Sequence, residues 1–474
     1  MKTRFFIILI FYPFLTFGSD KFQLEDFSIQ LEQITSDPSH IWVSSGYTTV
    51  NPKHHTIFGV NDFFSPPFAA RRFNLKISML ADSNIISDDG SIGKGDVGLL
   101  YAGGTWFPYK IIRYGTYHHL KDGKLISLGI TSELIPLFGH AGFIEKITVK
   151  NRASTPVDLK LLPELVPGNP GVEGLSQWGF GVPQPNVRQA ISVDFDRWAN
   201  KSVNVGLYRE NETAMLVPGK SMTTTFTVMV CKKEETLPDR VNAAILENET
   251  VNAWQKRLDI YTKNIPPLAS NIDGMDDYYR RSIISGLVCL YENPSFALNP
   301  FLTSCGMDGG GFCTYTWDVA YYPQIAALML DNKMITMVKK MTGINLENHY
   351  AISLDGTGVG VKYSYDPWSF TSLISTIFKF IGPDRELFNF NKTLILNEEQ
   401  RKSSNNLIDY GFQHNLLEMR GAGWEHYVVS PNAERNWCFQ QLAEMGKLTG
   451  TNESEMSDWK RQAGEIIAAV RNEL

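Results

Sequence analysis

Cysteine is scarce in this chain: five residues in 474, an odd number. At least one thiol therefore has no partner within the chain, and a small scaffold held by many disulfides is excluded. An excess of charge of one sign is missing too. Forty-four Lys and Arg against fifty Asp and Glu leave a formal net charge of −6. No block of basic residues stands out, so nothing indicates a nucleic-acid surface. After the N-terminus no apolar run reaches the ~18 uninterrupted residues of a membrane-spanning helix. The Gly-x-Ser-x-Gly turn that exposes a hydrolase serine is absent, as is a phosphate loop ending in Lys-Ser/Thr. Metal-ligand spacing is missing as well. His54-His55 and His118-His119 are adjacent pairs, and neighbours on a strand point to opposite faces. Neither a metal nor a cofactor is expected.

What remains is a globular composition, 43% hydrophobic and 20% charged, rich in aromatic residues. The length suggests about two or three domains. The N-terminus reads as a secretory signal over residues 1–18: Lys2 and Arg4, an apolar core from Phe5 to Phe17, and small Thr16 and Gly18 before the cleavage point. A soluble exported protein, secreted or periplasmic, is the expectation.

Residues 19–240 carry strand patterning and predict an all-β sandwich. Ile147–Val149 and Val157–Leu161 alternate on either side of a Pro-marked turn, which predicts a half-buried hairpin. Phe226–Val230 alternates after Pro218-Gly219, and Pro163–Pro185 reads as a long Gly/Pro-rich loop. Near residue 240 the period changes to helical. Val241–Thr262 is expected as a linking helix within 241–266, and residues 267–474 as an all-α domain. Helices are predicted at Asp276–Tyr291, after Pro323, at Lys333–Met341, Pro367–Ile381, Pro431–Met445 and Trp459–Val470. Their apolar stripes are core. Long connections at Cys305–Tyr322, Asn345–Asp366 and Lys392–Ser430 hold Gly, aromatic and acidic residues, the composition of a functional loop. Cys305 and Cys313 flank three consecutive glycines. They either close a small disulfide loop or are buried thiols.

These three connections offer Trp317-Asp318, then Tyr363-Ser-Tyr365-Asp366-Pro-Trp368, then Asp409-Tyr410-Gly411 followed by Glu418, Arg420, Trp424, Glu425 and His426. Sugar rings show C–H groups on their faces and hydroxyls at their edges, so aromatic faces beside acids suit them. Glycoside hydrolysis needs two carboxyl groups flanking the scissile bond, one giving a proton to the leaving oxygen. The plainer alternative for each acid is a helix cap or a salt bridge.

The stretch Gly309-Gly-Gly-Phe-Cys-Thr-Tyr-Thr-Trp317-Asp318-Val-Ala-Tyr resembles the Gly-Gly-Arg-Phe…Tyr-x-Trp-Asp-Ser-Tyr signature of trehalases, with Gly311 in the place of the Arg. The segment Asn406-Leu-Ile-Asp409-Tyr-Gly, Asn415-Leu-Leu-Glu418 and His426-Tyr-Val-Val-Ser-Pro-Asn432 is similar to a later segment of the same clan. That clan comprises (α/α)6-toroid, or six-hairpin, glycoside hydrolases, including trehalases and processing α-glucosidases, with an N-terminal β-sandwich. The resemblance implies an inverting glycoside hydrolase acting on an α-glucoside-type oligosaccharide or polysaccharide. Carried over by position, Asp409 is the general acid with Glu418 its rival. Trp317, Asp318, Tyr365, Asp366, Trp368, Trp424, His426 and Asn432 bind or orient substrate. Apolar periodicity gives only about six helices between Asp276 and Leu474, fewer than a complete toroid needs. The expectation is thus an incomplete toroid in which no segment after Trp437 resembles the one that carries the general base, the alternative being a carbohydrate-binding protein on the same scaffold without the base.

Overall fold

A computed structural model describes residues 22–31, 41–52, 56–65, 68–70, 73–82, 84–87, 98–167, 189–194, 202–211, 214–232, 234–294, 296–304, 313–353, 356–359, 362–411 and 426–474. The N-terminal half is antiparallel sheet and the C-terminal half is helical. The expected signal at residues 1–18, the 305–312 glycine stretch with Cys305, and most of Pro163–Pro185 lie outside the described residues.

Two eight-stranded sheets form the first half. Gly98–Phe107, Lys110–Lys121, Lys124–Pro136, Gly142–Asn151 and Ser221–Lys232 run side by side in the first. Asp122 and Gly123 make one of its tight turns with φ of 50° and 74°. Two successive positive φ values match the twist of the flanking strands, which is why Asp-Gly serves there. The second sheet is built around Val157–Pro167, Phe73–Ala81, Val60–Ser65 and Thr49–Pro52. Phe143, Ile147 and Val149 from the first sheet and Val157, Leu159 and Leu161 from the second bury into one core.

The expected hairpin at 147–161 is not a hairpin. Both strands exist, but Gly142–Asn151 pairs with Lys124–Pro136 and Ser221–Lys232, while Val157–Pro167 pairs with Phe73–Ala81 and Ala214–Leu216. The chain crosses from one sheet to the other at 152–156. Asn151 fixes the crossing: its Nδ2 donates to the carbonyls of Thr155 and Leu216, each at 2.8 Å, and its Oδ1 accepts from the Ala153 N–H. Alternation shows which side of a strand is buried; it carries no information about which strand lies alongside.

Helix α1 (Ala243–Thr262) begins at Asn242, whose side chain accepts from the Ile245 N–H. It joins the two halves by two buried side chains. Trp254 Nε1 donates to the Ser44 carbonyl at 3.0 Å. Arg257, stacked 4.6 Å from the Trp254 ring, donates to the carbonyls of Ser45 at 2.8 Å, Leu287 at 3.1 Å and Leu290. Its Nε lies 2.8 Å from Glu292 Oε2 without the alignment of a hydrogen bond. Gly46, at φ +80°, leaves room for this guanidinium: a Cβ there would stand 2.0 Å from Arg257 Nη1.

Eight helices follow among the described residues: α2 (Met275–Val288), α3 (Thr316–Tyr321), α4 (Pro323–Leu330), α5 (Asn332–Met341), α6 (Asp366–Phe380), α7 (Arg385–Glu399), α8 (Val429–Thr449) and α9 (Glu453–Glu473). Two of them, α3 and α7, fall where long loops were expected. Helix α7 opens on Asp384, whose side chain accepts from the Leu387 N–H, and buries Leu387, Phe388, Asn391 and Ile395. The loops expected at Cys305–Tyr322 and Asn345–Asp366 are tied together: Cys313–Tyr315 pairs with Ala351–Ser353, which pairs with Gly358–Val359.

Helix α6 is buried along most of its length, polar residues included. Helix α7 returns antiparallel beside it, with Phe378 near Phe388 and Thr371 bonded to Asn391. Helices α8 and α9 form a second such hairpin, Asn436 bonding the Ala463 carbonyl. Helices α6 and α8 run parallel. Tyr365 meets Ser430, Trp368 meets Trp437, and Lys379 meets Gln441. Both helices therefore start at the same rim.

Candidate active site

At that rim the strand Cys313–Tyr315 hands the chain to α3, and Pro367 opens α6 in its first turn, where a missing N–H costs nothing. The two helix starts bring together eight aromatic rings. Trp317 is the hub, with ring centroids 4.4 Å from Tyr365, 4.8 Å from Tyr321, 5.2 Å from Trp368 and 5.5 Å from Tyr363. Tyr350 contacts Tyr363 and stacks on Tyr315, and Trp437 closes on Trp368. Tyr321 is exposed, Trp317 and Trp368 are half-buried, and Tyr363 and Tyr365 are buried. The cluster thus has a dry base and an open edge. Asp318 is half-buried in the first turn of α3, next to the hub.

Asp366 lies under the cluster, 3% exposed. Burial pushes its carboxyl well above the ordinary carboxylate range, against the pull of Thr316 and Lys362. The hydrogen bonding agrees with a neutral acid. The Thr316 hydroxyl has a single proton, and it lies 3.0 Å both from the Tyr350 carbonyl and from Asp366 Oδ1. A protonated Asp366 donates to the Thr316 oxygen, so Thr316 donates to Tyr350, and every proton has an acceptor. Oδ2 of Asp366 is buried with no hydrogen-bond partner.

Asp409 is in the opposite state. It is exposed, accepts from the Gly411 N–H at 2.8 Å, and its oxygens lie 3.0 and 3.1 Å from His426 Nδ1. Its slight burial raises the carboxyl, but Gly411 and His426 outweigh this and hold it below the ordinary range. A proton donor needs the reverse. The surroundings of Asp409 are those of a carboxylate, not of the general acid the sequence reading made it. Backbone bonds from the Tyr410 N–H to the His426 carbonyl and from the His426 N–H to the Gly411 carbonyl fasten the ends of 412–425. Glu418 and Trp424 lie in that span, outside the described residues.

Asn432 serves differently from expectation. It is fully buried, and its Nδ2 donates to the Ile408 and Val428 carbonyls. Its Oδ1 accepts from the Ile408 N–H and from Arg435. With both protons and both lone pairs used it has nothing left for a substrate. It anchors the residue before Asp409 to the start of α8, while Arg435 is held by Glu399 at 2.5 and 2.7 Å.

One residue escaped the sequence reading. Glu434, in the second turn of α8 between Ser430 and Trp437, is half-buried, and its Oε2 is buried with no hydrogen-bond partner. Burial pushes its carboxyl up to about 8. Its i, i+4, i+7 spacing with Ser430 and Trp437 was visible, but its meaning depends on which helix lies opposite.

No protein-family model matches the chain, and no curated protein matches it. Among solved structures, a bacterial glucoamylase complexed with acarbose aligns over 90% of this chain at 9% identity, with a TM-score of 0.48. The chain spans 65% of that protein's length. A polysaccharide lyase aligns over 89% of this chain and 82% of its own, at 10% identity and a TM-score of 0.23.

Proposed function

We propose that this chain is an exported carbohydrate-active enzyme, a glycoside hydrolase that seats sugar rings on the aromatic cluster around Trp317. One observation carries the reading: a cluster of eight rings with Trp317 as its hub, open at Tyr321 and Trp368, with a buried acid in the first turn of α6 and a carboxylate held near the start of α8. Aromatic faces take the C–H faces of a pyranose, while Asp318 is at hand for its hydroxyls. In this reading Asp409, kept ionised by His426 and Gly411, activates water rather than giving a proton. Glu418 and Trp424 stay candidates on sequence alone. An α-glucoside-type oligosaccharide or polysaccharide and inversion of configuration follow from the sequence resemblance. The parallel α6 and α8, each backed by a returning helix, support membership of an (α/α)6 arrangement, with residues 19–240 and 267–474 as its sandwich and helical domains and 241–266 as the link.

The test is Tyr321→Ala with maltooligosaccharides as probes, by calorimetry and by product analysis. Tyr321 is 61% exposed but packs on Trp317 and Trp368, so its removal should cost about 1–2 kcal/mol and leave the protein folded at assay temperature. Losing a sugar platform worth about 1.4 kcal/mol should weaken binding roughly tenfold. Unchanged binding in the variant, or neither binding nor hydrolysis by the wild type, overturns the reading. Binding without hydrolysis selects the non-catalytic carbohydrate-binding alternative.

A further inference from the structure

A hydrolase reading with Asp409 ionised leaves the leaving group without a proton source. Asp366 holds a proton but is sealed beneath the rings. Asp318, in the first turn of α3, is given to the sugar hydroxyls in that reading, and a further carboxyl near the cluster among the described residues is on α8. Ser430, Glu434 and Trp437 share one face of that helix, at i, i+4 and i+7. Ser430 Oγ lies 2.5 Å from the Tyr365 hydroxyl, and the Trp437 ring is 6.5 Å from that of Trp368. Both ends of the stripe therefore touch the aromatic cluster, and Glu434 sits between them.

We infer that Glu434 is the proton-donating catalytic residue of this site, acting on the leaving oxygen of a glycoside held on the aromatic cluster. The inference rests on the hydrolase reading above. As the C–O bond breaks, its electron pair stays on the leaving oxygen, which takes the Glu434 proton. Water adds to the anomeric carbon and loses a proton to the Asp409 carboxylate. Return of that proton to Glu434 through solvent restores both groups. Three features suit Glu434 to this part. Its Oε2 is buried without a partner, so no cation or N–H stabilises the charged form. The residue as a whole is only half-buried, between two side chains that contact the cluster. Burial alone accounts for its raised carboxyl. Of its neighbours on α8, Arg435 is engaged with Glu399, and Cys438 is a buried, neutral thiol pushed up to about 12 by burial. Asp366 heads the facing helix α6 in its neutral form.

Glu434→Gln and Glu434→Asp should be assayed on aryl α-glucosides from phenyl to 2,4-dinitrophenyl. General acid assistance contributes roughly 10²–10⁴-fold, so the Gln variant should lose about that much on the phenyl glucoside. On the dinitrophenyl glucoside, whose leaving group needs no proton, it should keep nearly the wild-type rate. The Asp variant keeps a proton on a shorter arm: slower, but with no steeper dependence on the leaving group. It also stands in if the Gln variant does not fold. Equal losses on both substrates, or no loss on either, overturn the role of Glu434 and leave the hydrolase reading intact. A wild type inert on the whole series and on maltooligosaccharides overturns the hydrolase reading itself, and this inference with it.

Discussion

Replacing Arg257 by Met should loosen the joint between the sheets and the helices. The guanidinium is 2% exposed and serves three carbonyls, Ser45 on the sheet side and Leu287 and Leu290 on the helical side, besides Glu292. Met fills the volume of the stem, so the loss is electrostatic rather than a cavity. Removing one partner of a buried ionic network costs about 3–5 kcal/mol, because the others stay behind unpaired. That cost comes mainly from the buried carbonyls stripped of their donor, each about 1–3 kcal/mol where water cannot reach it. Glu292 is 23% exposed in its side chain and keeps the Tyr261 hydroxyl at 2.7 Å, which limits its share. About 4 kcal/mol is the expected sum, a large part of the ~5–15 kcal/mol that holds a typical domain. Urea unfolding followed by tryptophan fluorescence and by far-ultraviolet circular dichroism measures it. The midpoint should fall, and the two probes should separate as sheets and helices melt apart. Gly46→Ala should act in the same direction, since its Cβ would displace the guanidinium from a backbone already at φ +80°. A loss under about 1 kcal/mol with coincident probes would refute this account of the joint.

Two titration predictions follow from the carboxyls. Asp366 is raised by burial, so the native protein holds a proton that the unfolded chain has lost. Its contribution to stability is complete below the ordinary carboxylate range and is lost as pH rises through the raised value. Asp366→Asn should therefore flatten the pH dependence of the melting temperature and match or exceed the wild type at pH 8; a variant less stable at pH 8 than at pH 5, relative to wild type, contradicts a neutral Asp366. Asp409 is shifted the other way, its small stabilising contribution present above the ordinary range and lost as pH falls through the lowered value. His426→Asn keeps the positive φ of 59° that Asn tolerates and should move the Asp409 carboxyl back up in a carbon-13 titration. No movement would mean that the Gly411 N–H alone sets it.

The period of the apolar residues made the two halves legible, because a strand and a helix bury side chains at different intervals. It placed α1, α5 and α6 closely, and caught only the middle of α9. It failed at Arg385–Glu399, although Asp384 is a ready cap and Leu387, Phe388 and Ile395 are helically spaced; the asparagines at 389, 391 and 397 mask the stripe, and Asn391 is spent on Thr371 inside the core. It also failed at the 147–161 crossing, where both strands were legible and their neighbours were not. At the rim, composition singled out Trp317, Tyr365 and Trp368, which the fold does bring together. The protonation states of Asp366, Asp409 and Glu434 were beyond reach, because they depend on burial and on partners distant in the chain. Asn432 looks like a ligand residue in sequence and is a fastener in space for the same reason.

Because α6 and α8 are parallel, the positive ends of two peptide dipoles point toward one rim. In the hydrolysis proposed above, a sugar losing its leaving group acquires positive charge at the anomeric centre, and that field opposes it. An ionised carboxylate at the rim reverses the local sign. Seen this way, the Asp409–His426–Gly411 arrangement is a matter of electrostatic polarity: helix starts suit anions, and a cation-forming reaction placed there requires a fixed negative charge among them.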